Sequence, residues 1–267
     1  METRSVKTKN LAVGLRGFLF LEGFVRLFLW YSSFAFTMAI FGALRDWPGQ
    51  PLIGGSLGDA WKWGEALSQL VLIYNVVYLA ELLVLRLPIP SPKEGEYDLS
   101  PGQPFDVRLV WTALISIIVR ARYQAPFPAF LVFHLSNIPP FCWLVTWIIG
   151  PKSKSCLLLD PPVPDPDLTE IGRNVIVGNM TSIIAHNQYR DHVSLRKTVI
   201  EDDAMIGAHA LIYGGCTIKR GAVVYGGAVV PPNTVIGENE AWGGVPARKI
   251  KDLPAAGDEA GRMRDEA

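Results

Sequence analysis

Apolar residues in the first half of the chain come in long unbroken runs. Leu27 to Leu44 holds eighteen residues without a charge and stops at Arg45, and Ala66 to Leu85 holds twenty with one acid, Glu81. As helices both are long enough to cross a bilayer, which takes about 20 residues. Trp30, Tyr31, Trp61, Trp63 and Tyr78 lie near the run ends, where interfacial aromatics collect. Two spans are therefore predicted, about 27–44 and 66–85. Leu11 to Val25 is apolar but interrupted by Arg16 and Glu22, which predicts a helix lying along the interface. Leu109 to Val119 is too short to span. Phe127 to Ile149 is long enough but contains His134, Asn137 and the helix-breaking pair Pro139–Pro140. Segments 109–149 are read as re-entrant or interfacial pieces. Glu81 and His134 are the ionisable groups inside these runs; in lipid such groups are functional by default. The plainer expectation has Glu81 snorkelling near its helix end and His134 at a break that water reaches.

Arg4, Lys7, Lys9 and Arg16 precede the first run, which puts the N-terminus in the cytoplasm, and an even number of crossings returns the second half there. A secretory signal does not fit, since the run is too long and no small-residue cleavage site follows it.

From about Asp167 the text changes. Every sixth residue is aliphatic through Ile200, Ile206, Ile212, Ile218, Val224, Val230 and Ile236, and Trp242 follows in phase. Four places after each of the first six stands a small residue: Ala204, Ala210, Cys216, Ala222, Ala228 and Thr234. Ile171, Val177 and Ile183 form an earlier set. A helix repeats its apolar positions every three to four residues, so a period of six excludes it and predicts a parallel β-helix. Three repeats make one coil. Stacking by eighteen puts Ile200, Ile218 and Ile236 in one column and Ile206, Val224 and Trp242 in another, with Gly214–Gly215 and Gly226–Gly227 at corners. Ile183 to Ile200 is 17 residues, which breaks the phase and expels 184–199 as a loop carrying His186, Tyr189, Arg190, Asp191, His192, Arg196 and Lys197. Loops on rigid scaffolds are where reactive groups are placed.

Composition narrows the picture. With 49% hydrophobic residues and 25 basic against 25 acidic side chains, the chain cannot be intrinsically disordered and lacks the basic excess of a nucleic-acid partner. Three cysteines without C-x-x-C spacing, Cys142, Cys156 and Cys216, support neither a disulfide framework nor a zinc knuckle and suit a reducing compartment. Cys216 reads as core, and Asn179–Thr181 as a sequon that a cytoplasmic domain does not expose to glycosylation. The predicted organisation is a membrane-embedded helical region, 1–155, a β-helix, 156–253, and a disordered tail, 254–267.

The string from Ile200 to Ile250 resembles the left-handed β-helix domain of hexapeptide-repeat acyltransferases, particularly bacterial exopolysaccharide O-acetyltransferases. It is also similar to the membrane-linked β-helix modules that end homopoly-amino-acid synthetases. The resemblance covers about Leu168 to Leu253 and implies a homotrimer with sites between subunits. A histidine at the start of the expelled loop takes the acceptor's proton in such enzymes, and His186 occupies that place. An imidazole with an ordinary pKa near 6.5 suits the task. Asp191 is the acid expected to orient it or His192, and a backbone N–H at Gly207 or Ala208 is expected to hold the oxyanion. The string WGGVPARK at 242–249 resembles the closing motif beside coenzyme A, which nominates Gly226, Gly243, Gly244, Ala247, Arg248 and Lys249 as donor contacts, with Val245 where many relatives have Asn.

The function implied is transfer of an acyl group, acetyl from acetyl-CoA, to a hydroxyl or amine of a membrane-associated or surface glycan, peptide or lipid intermediate. The protein would be multi-pass in the cell membrane with its β-helix in the cytoplasm. The rival is a non-catalytic trimer that organises a membrane biosynthetic or export complex. A carbonic anhydrase of the same fold would need a second histidine where HALIYGGC has Gly214; His209 and His186 alone fall short of the three ligands of a catalytic zinc, so no metal is expected.

Overall fold

The computed structural model describes residues 2–45, 57–100, 106–121, 150–158 and 163–254. The segment with His134 and Cys142, and the tail from residue 255, lie outside the described residues. The chain divides into two compact units. Residues 13–89 and 117–148 make up one, helical in its described residues; residues 1–12, 90–116 and 149–267 make up the other.

The helical unit contains most of α1 (Glu2–Arg45), all of α2 (Leu57–Arg86) and the end of α3 (Val107–Ala121). Two stretches, Leu19–Leu44 and Gly64–Arg86, are long and apolar enough to cross a membrane. The separate interfacial helix expected over 11–25 is not formed, because α1 runs through it unbroken. Glu22 and Arg26, one turn apart, pair with each other, and Arg120 approaches Glu22 at 3.5 Å, so these charges are met inside the unit. The piece at 109–119, expected to be re-entrant or interfacial, lies within one regular helix. Asp106 starts α3 by accepting the Arg108 N–H at 2.9 Å, and Ile115, Ile117, Ile118 and Val119 are buried. Glu81 does not snorkel. Its Oε2 accepts the Ser32 and Ser33 hydroxyls at 3.0 and 2.6 Å, tying α2 to α1.

The other unit is built coil by coil, and β1 (Gly95–Asp98) and β2 (Lys152–Leu158) precede its first turn. The first coil is β3 (Thr169–Val177), bent across a corner to serve two faces, and β4 (Ser182–Ile183). The chain then leaves as the hairpin β5 (His186–Gln188) and β6 (His192–Leu195). The second coil is β7 (Thr198–Ile200), β8 (Met205–Ile206) and β9 (Leu211–Ile212); the third is β10 (Thr217–Ile218), β11 (Val223–Val224) and β12 (Val229–Val230). Two faces of a fourth follow, β13 (Val235–Ile236) and β14 (Glu240–Gly244), and β15 (Ala247–Asp252) turns back antiparallel along β14. The parallel pairings place Ile171, Ile200, Ile218 and Ile236 in one column, Val177, Ile206, Val224 and Trp242 in the second, and Ile183, Ile212 and Val230 in the third. This is the prism that the six-residue period predicted.

Its interior is apolar throughout: the three columns and the small residues Ala204, Ala210, Cys216, Ala222 and Ala228 form one cluster. Each buried Val or Ile contributes on the order of 1.5–3 kcal/mol. Burial pushes the Cys216 thiol up to about 11, so it is an inert filler. Backbone bonds run from coil to coil, such as Thr217 N–H to Thr234 C=O at 2.9 Å. Two corner glycines are required. Gly215 and Gly221 have φ of +83° and +66°, and a Cβ on either would stand 2.2 Å from the Oδ1 of Asn233 or Asn239 in the next coil.

The predicted division at 155/156 falls within β2, which pairs parallel with β3. The connector after α2 also contributes, since β1 pairs antiparallel with β6 and gives the three-stranded ribbon β1–β6–β5.

Candidate active site

The expelled segment is an ordered arm rather than an open loop. Asn187, buried at its base, clamps it to the third face: its Oδ1 accepts the Gly214 N–H at 3.1 Å and its Nδ2 donates to the Gly214 C=O at 3.2 Å. Gly214 must stay bare, because a Cβ there would lie 2.8 Å from the Ala185 carbonyl oxygen. Arg196 N–H closes the root of the hairpin on the same carbonyl at 2.9 Å.

This base fixes His186 as the first residue of β5. Its Nδ1 lies 2.5 Å from Oδ2 of Asp165, and that oxygen also accepts the Ala185 N–H at 3.0 Å. The Asp165 side chain is 0% exposed and that of His186 36%. The other Asp165 oxygen is buried with no hydrogen-bond partner among the described residues. A carboxylate only accepts, so this pairing favours the tautomer of a neutral His186 with its proton on Nδ1. A buried anion beside an imidazole stabilises the imidazolium. Asp165 is held from behind by its own turn, where Leu168 N–H and the Thr169 hydroxyl donate to its carbonyl at 3.2 and 3.0 Å.

Asp165 takes the place expected of Asp191. The latter lies at the tip of the arm and pairs with Nδ1 of His192 at 2.8 Å, while Tyr189 stacks on that imidazole at 4.5 Å between ring centroids. Gly207 cannot supply the oxyanion donor, because its N–H is spent on the Val224 carbonyl at 2.7 Å in the coil ladder. His209 is an exposed corner residue with φ of +59°, its N–H bonded to the Asn179 carbonyl at 3.0 Å.

The closing motif divides in two. Ala247 is 0% exposed and plugs the prism, which removes it from any donor contact. Lys249 is held at 2.8 Å by Glu240 and at 2.6 Å by Asp252, so its charge is already met. Glu240 also accepts the Gly237 N–H and the Trp242 indole N–H, both at 2.8 Å; with Lys249 first, these hold its carboxyl down at about 2. Gly226, Gly244 and Arg248 are exposed, whereas Gly243 is buried against Tyr225 and Ile250. Among the nominated donor contacts, Gly226, Gly244 and Arg248 thus remain accessible.

The repeats of the coil have counterparts in known proteins. Residues 197–232 match the bacterial transferase hexapeptide model, described as six repeats. Residues 197–232 thus carry the hexapeptide repeat of bacterial transferases. A Bacillus subtilis (strain 168) protein, YvoF, provisionally named an acetyltransferase, is 30% identical over 101 residues, which is 35% of this chain and 59% of that one. The hexapeptide match thus spans under two thirds of that relative. Among solved structures, a Vibrio cholerae hexapeptide-repeat acetyltransferase complexed with acetyl coenzyme A is 20% identical, with 57% of this chain and 94% of that chain covered and a TM-score of 0.41. A galactoside acetyltransferase in complex with coenzyme A is 17% identical, with 59% and 85% covered and the same TM-score.

Sequence reasoning nominated His186 but not Asp165, the carboxylate that lies against it. Asp165 lies in VPDPDL, a proline-rich lead-in without periodicity; its one signal is an acid between prolines immediately before the first coil.

Proposed function

We propose that the hexapeptide domain is an acyltransferase that moves an acetyl group from acetyl-CoA to an acceptor hydroxyl or amine, with Asp165 and His186 as its base. The observation that carries this is the buried Asp165 carboxylate on Nδ1 of a half-exposed imidazole. Asp165 fixes the tautomer. Nε2 of His186 then takes the acceptor's proton while the acceptor oxygen or nitrogen attacks the thioester carbonyl, and Asp165 stabilises the imidazolium. When the C–S bond breaks, His186 returns that proton to the departing thiolate, leaving the acyl ester or amide, free coenzyme A and neutral histidine. No nucleophile of the chain is needed.

The fold reading that accompanies this is a left-handed coil and a homotrimer. The outward row Ile176, Met205 and Val223 on one face supports it: the first two are 39% and 44% exposed and pair in register, forming an apolar stripe suited to a second copy. The two apolar helices support a multi-pass membrane protein with the coil in the cytoplasm, where acetyl-CoA is available, and an acceptor that is a membrane-associated glycan, peptide or lipid. A non-catalytic organising module would have no use for a buried acid on His186.

The test is transfer of labelled acetyl from acetyl-CoA to native membranes by the purified, detergent-solubilised protein. His186→Ala is expected to lose about 10²–10⁴-fold in rate, the contribution of a general base, and Asp165→Asn to fall by a similar factor with the thioester KM unchanged. Undiminished labelling by His186→Ala overturns the assignment.

A further inference from the structure

Tyr97 lies on β1, 89 residues ahead of His186, in the connector that follows α2. Nothing in the hexapeptide pattern needs it. Yet its ring is 3% exposed and belongs to a small second core with Leu168, Ala185 and Leu195, packed by Leu109 and Val193. Ala185 directly precedes His186 and gives its N–H to Asp165. Leu195 is the cross-strand partner of His186. Leu168 closes the turn that carries Asp165. One aromatic ring therefore backs both halves of the dyad.

The same connector is fastened at several points. The Tyr97 hydroxyl donates to the Lys93 carbonyl at 2.6 Å, and the Arg108 guanidinium lies over the ring at 4.9 Å, itself held by Asp106. Glu96 accepts the Ser194 hydroxyl and the Arg196 guanidinium, each at 2.8 Å, which holds its carboxyl below the usual range. Leu99 N–H reaches the Asp191 carbonyl at 2.7 Å at the tip of the arm. The Ser91 hydroxyl donates to Asp167 at 2.9 Å, on the Asp165 turn. The connector thus grips the acid's turn at one end and the histidine's arm at the other, beyond the Asn187 clamp that ties the base of the arm to Gly214.

We infer that the segment from Ser91 to Leu99 is a positioning strap, with Tyr97 as its wedge, that sets Asp165 and His186 at bonding distance; the coil alone is an incomplete enzyme. The catalytic part of this rests on the acyl-transfer reading above. The physical reason is geometric: β5 is three residues long and paired on one side only, so the Asn187 clamp holds the arm at its base while β1 behind β6 fixes its angle. A catalytic hydrogen bond tolerates only a few tenths of an ångström of such drift.

The experiment uses the full chain in detergent with Tyr97→Phe, Tyr97→Leu and Tyr97→Ala, read by amide hydrogen exchange and by kinetics. In Tyr97→Ala, exchange over 185–195 is expected to rise by about tenfold or more while 205–236 keeps its protection, a local opening. For kinetics, kcat is expected to fall by about 10–100-fold, with the thioester KM within twofold. Tyr97→Phe keeps the wedge and is expected to stay near wild type, and Tyr97→Leu to lie between. If Tyr97→Ala does not fold, the Tyr97→Leu variant carries the same readings. Unchanged exchange at 185–195 in whichever variant folds overturns the strap. If exchange rises as expected but the wild type transfers no acetyl group, the strap stands and the enzyme assignment falls.

Discussion

The coil stack and the helical unit bury their residues on opposite terms. Apart from Trp242 at its last turn, the prism interior is aliphatic and small side chains, because coil-to-coil backbone bonds already fix how each turn sits on the next. In α1 and α2 the backbone bonds are spent within each helix, so none links one helix to the other. Side chains supply such links: Ser32 and Ser33 to Glu81 between α1 and α2, and the Tyr78 hydroxyl to the Ala121 carbonyl at 3.0 Å between α2 and α3. A repeat fold can afford a wholly greasy centre, whereas a pair of helices needs polar pins to fix its register.

The sharpest way to break this comparison is to put a charge in the prism. Ile218→Asp buries an unpaired carboxylate with no polar neighbour and is expected to cost more than about 4 kcal/mol, enough to unfold the coil unit. Loss of its β circular-dichroism signal, with helical signal retained, checks it. A polar pin is worth less. Glu81→Leu is expected to destabilise the helical unit by about 0.6–1.7 kcal/mol per bond lost, and Glu81→Gln, which still accepts both hydroxyls, by less; unfolding in mixed detergent measures both.

Smallest is the pin at the rim of the coil. The Glu240 carboxyl is lowered from 4.5 to about 2 by Lys249, Trp242 and Gly237, so it contributes stability above about pH 4.5 and loses it as pH falls through 2. Glu240→Gln should therefore melt below the wild type at neutral pH and converge with it below about pH 2. Parallel melting curves at all pH values would show that the group is a bystander.

How far the sequence could be read follows from the range of the contacts. Ile200, Ile218 and Ile236 meet because they are eighteen apart, and a fixed spacing is visible in the text. Even the break in phase was visible, and the three columns resume after it in full register: Ile171, Val177 and Ile183 each pair 29 residues on, one coil plus an eleven-residue arm. Asp165 meets His186 across 21 residues and Glu96 meets Ser194 across 98, with no period to announce either. Asp191 was the nearer acid, and nearness along the chain was the wrong guide, because the arm holds its tip away from its root.

The two ends of the stack have their own consequence. At one end β2 lies along β3, and at the other β15 folds back on β14 while Ala247 seals the opening. A spiral of identical rungs left bare at top and bottom would invite another molecule to continue it, and then another, into a filament. These borrowed strands make each molecule a finished object, so copies can gather side by side without growing end to end.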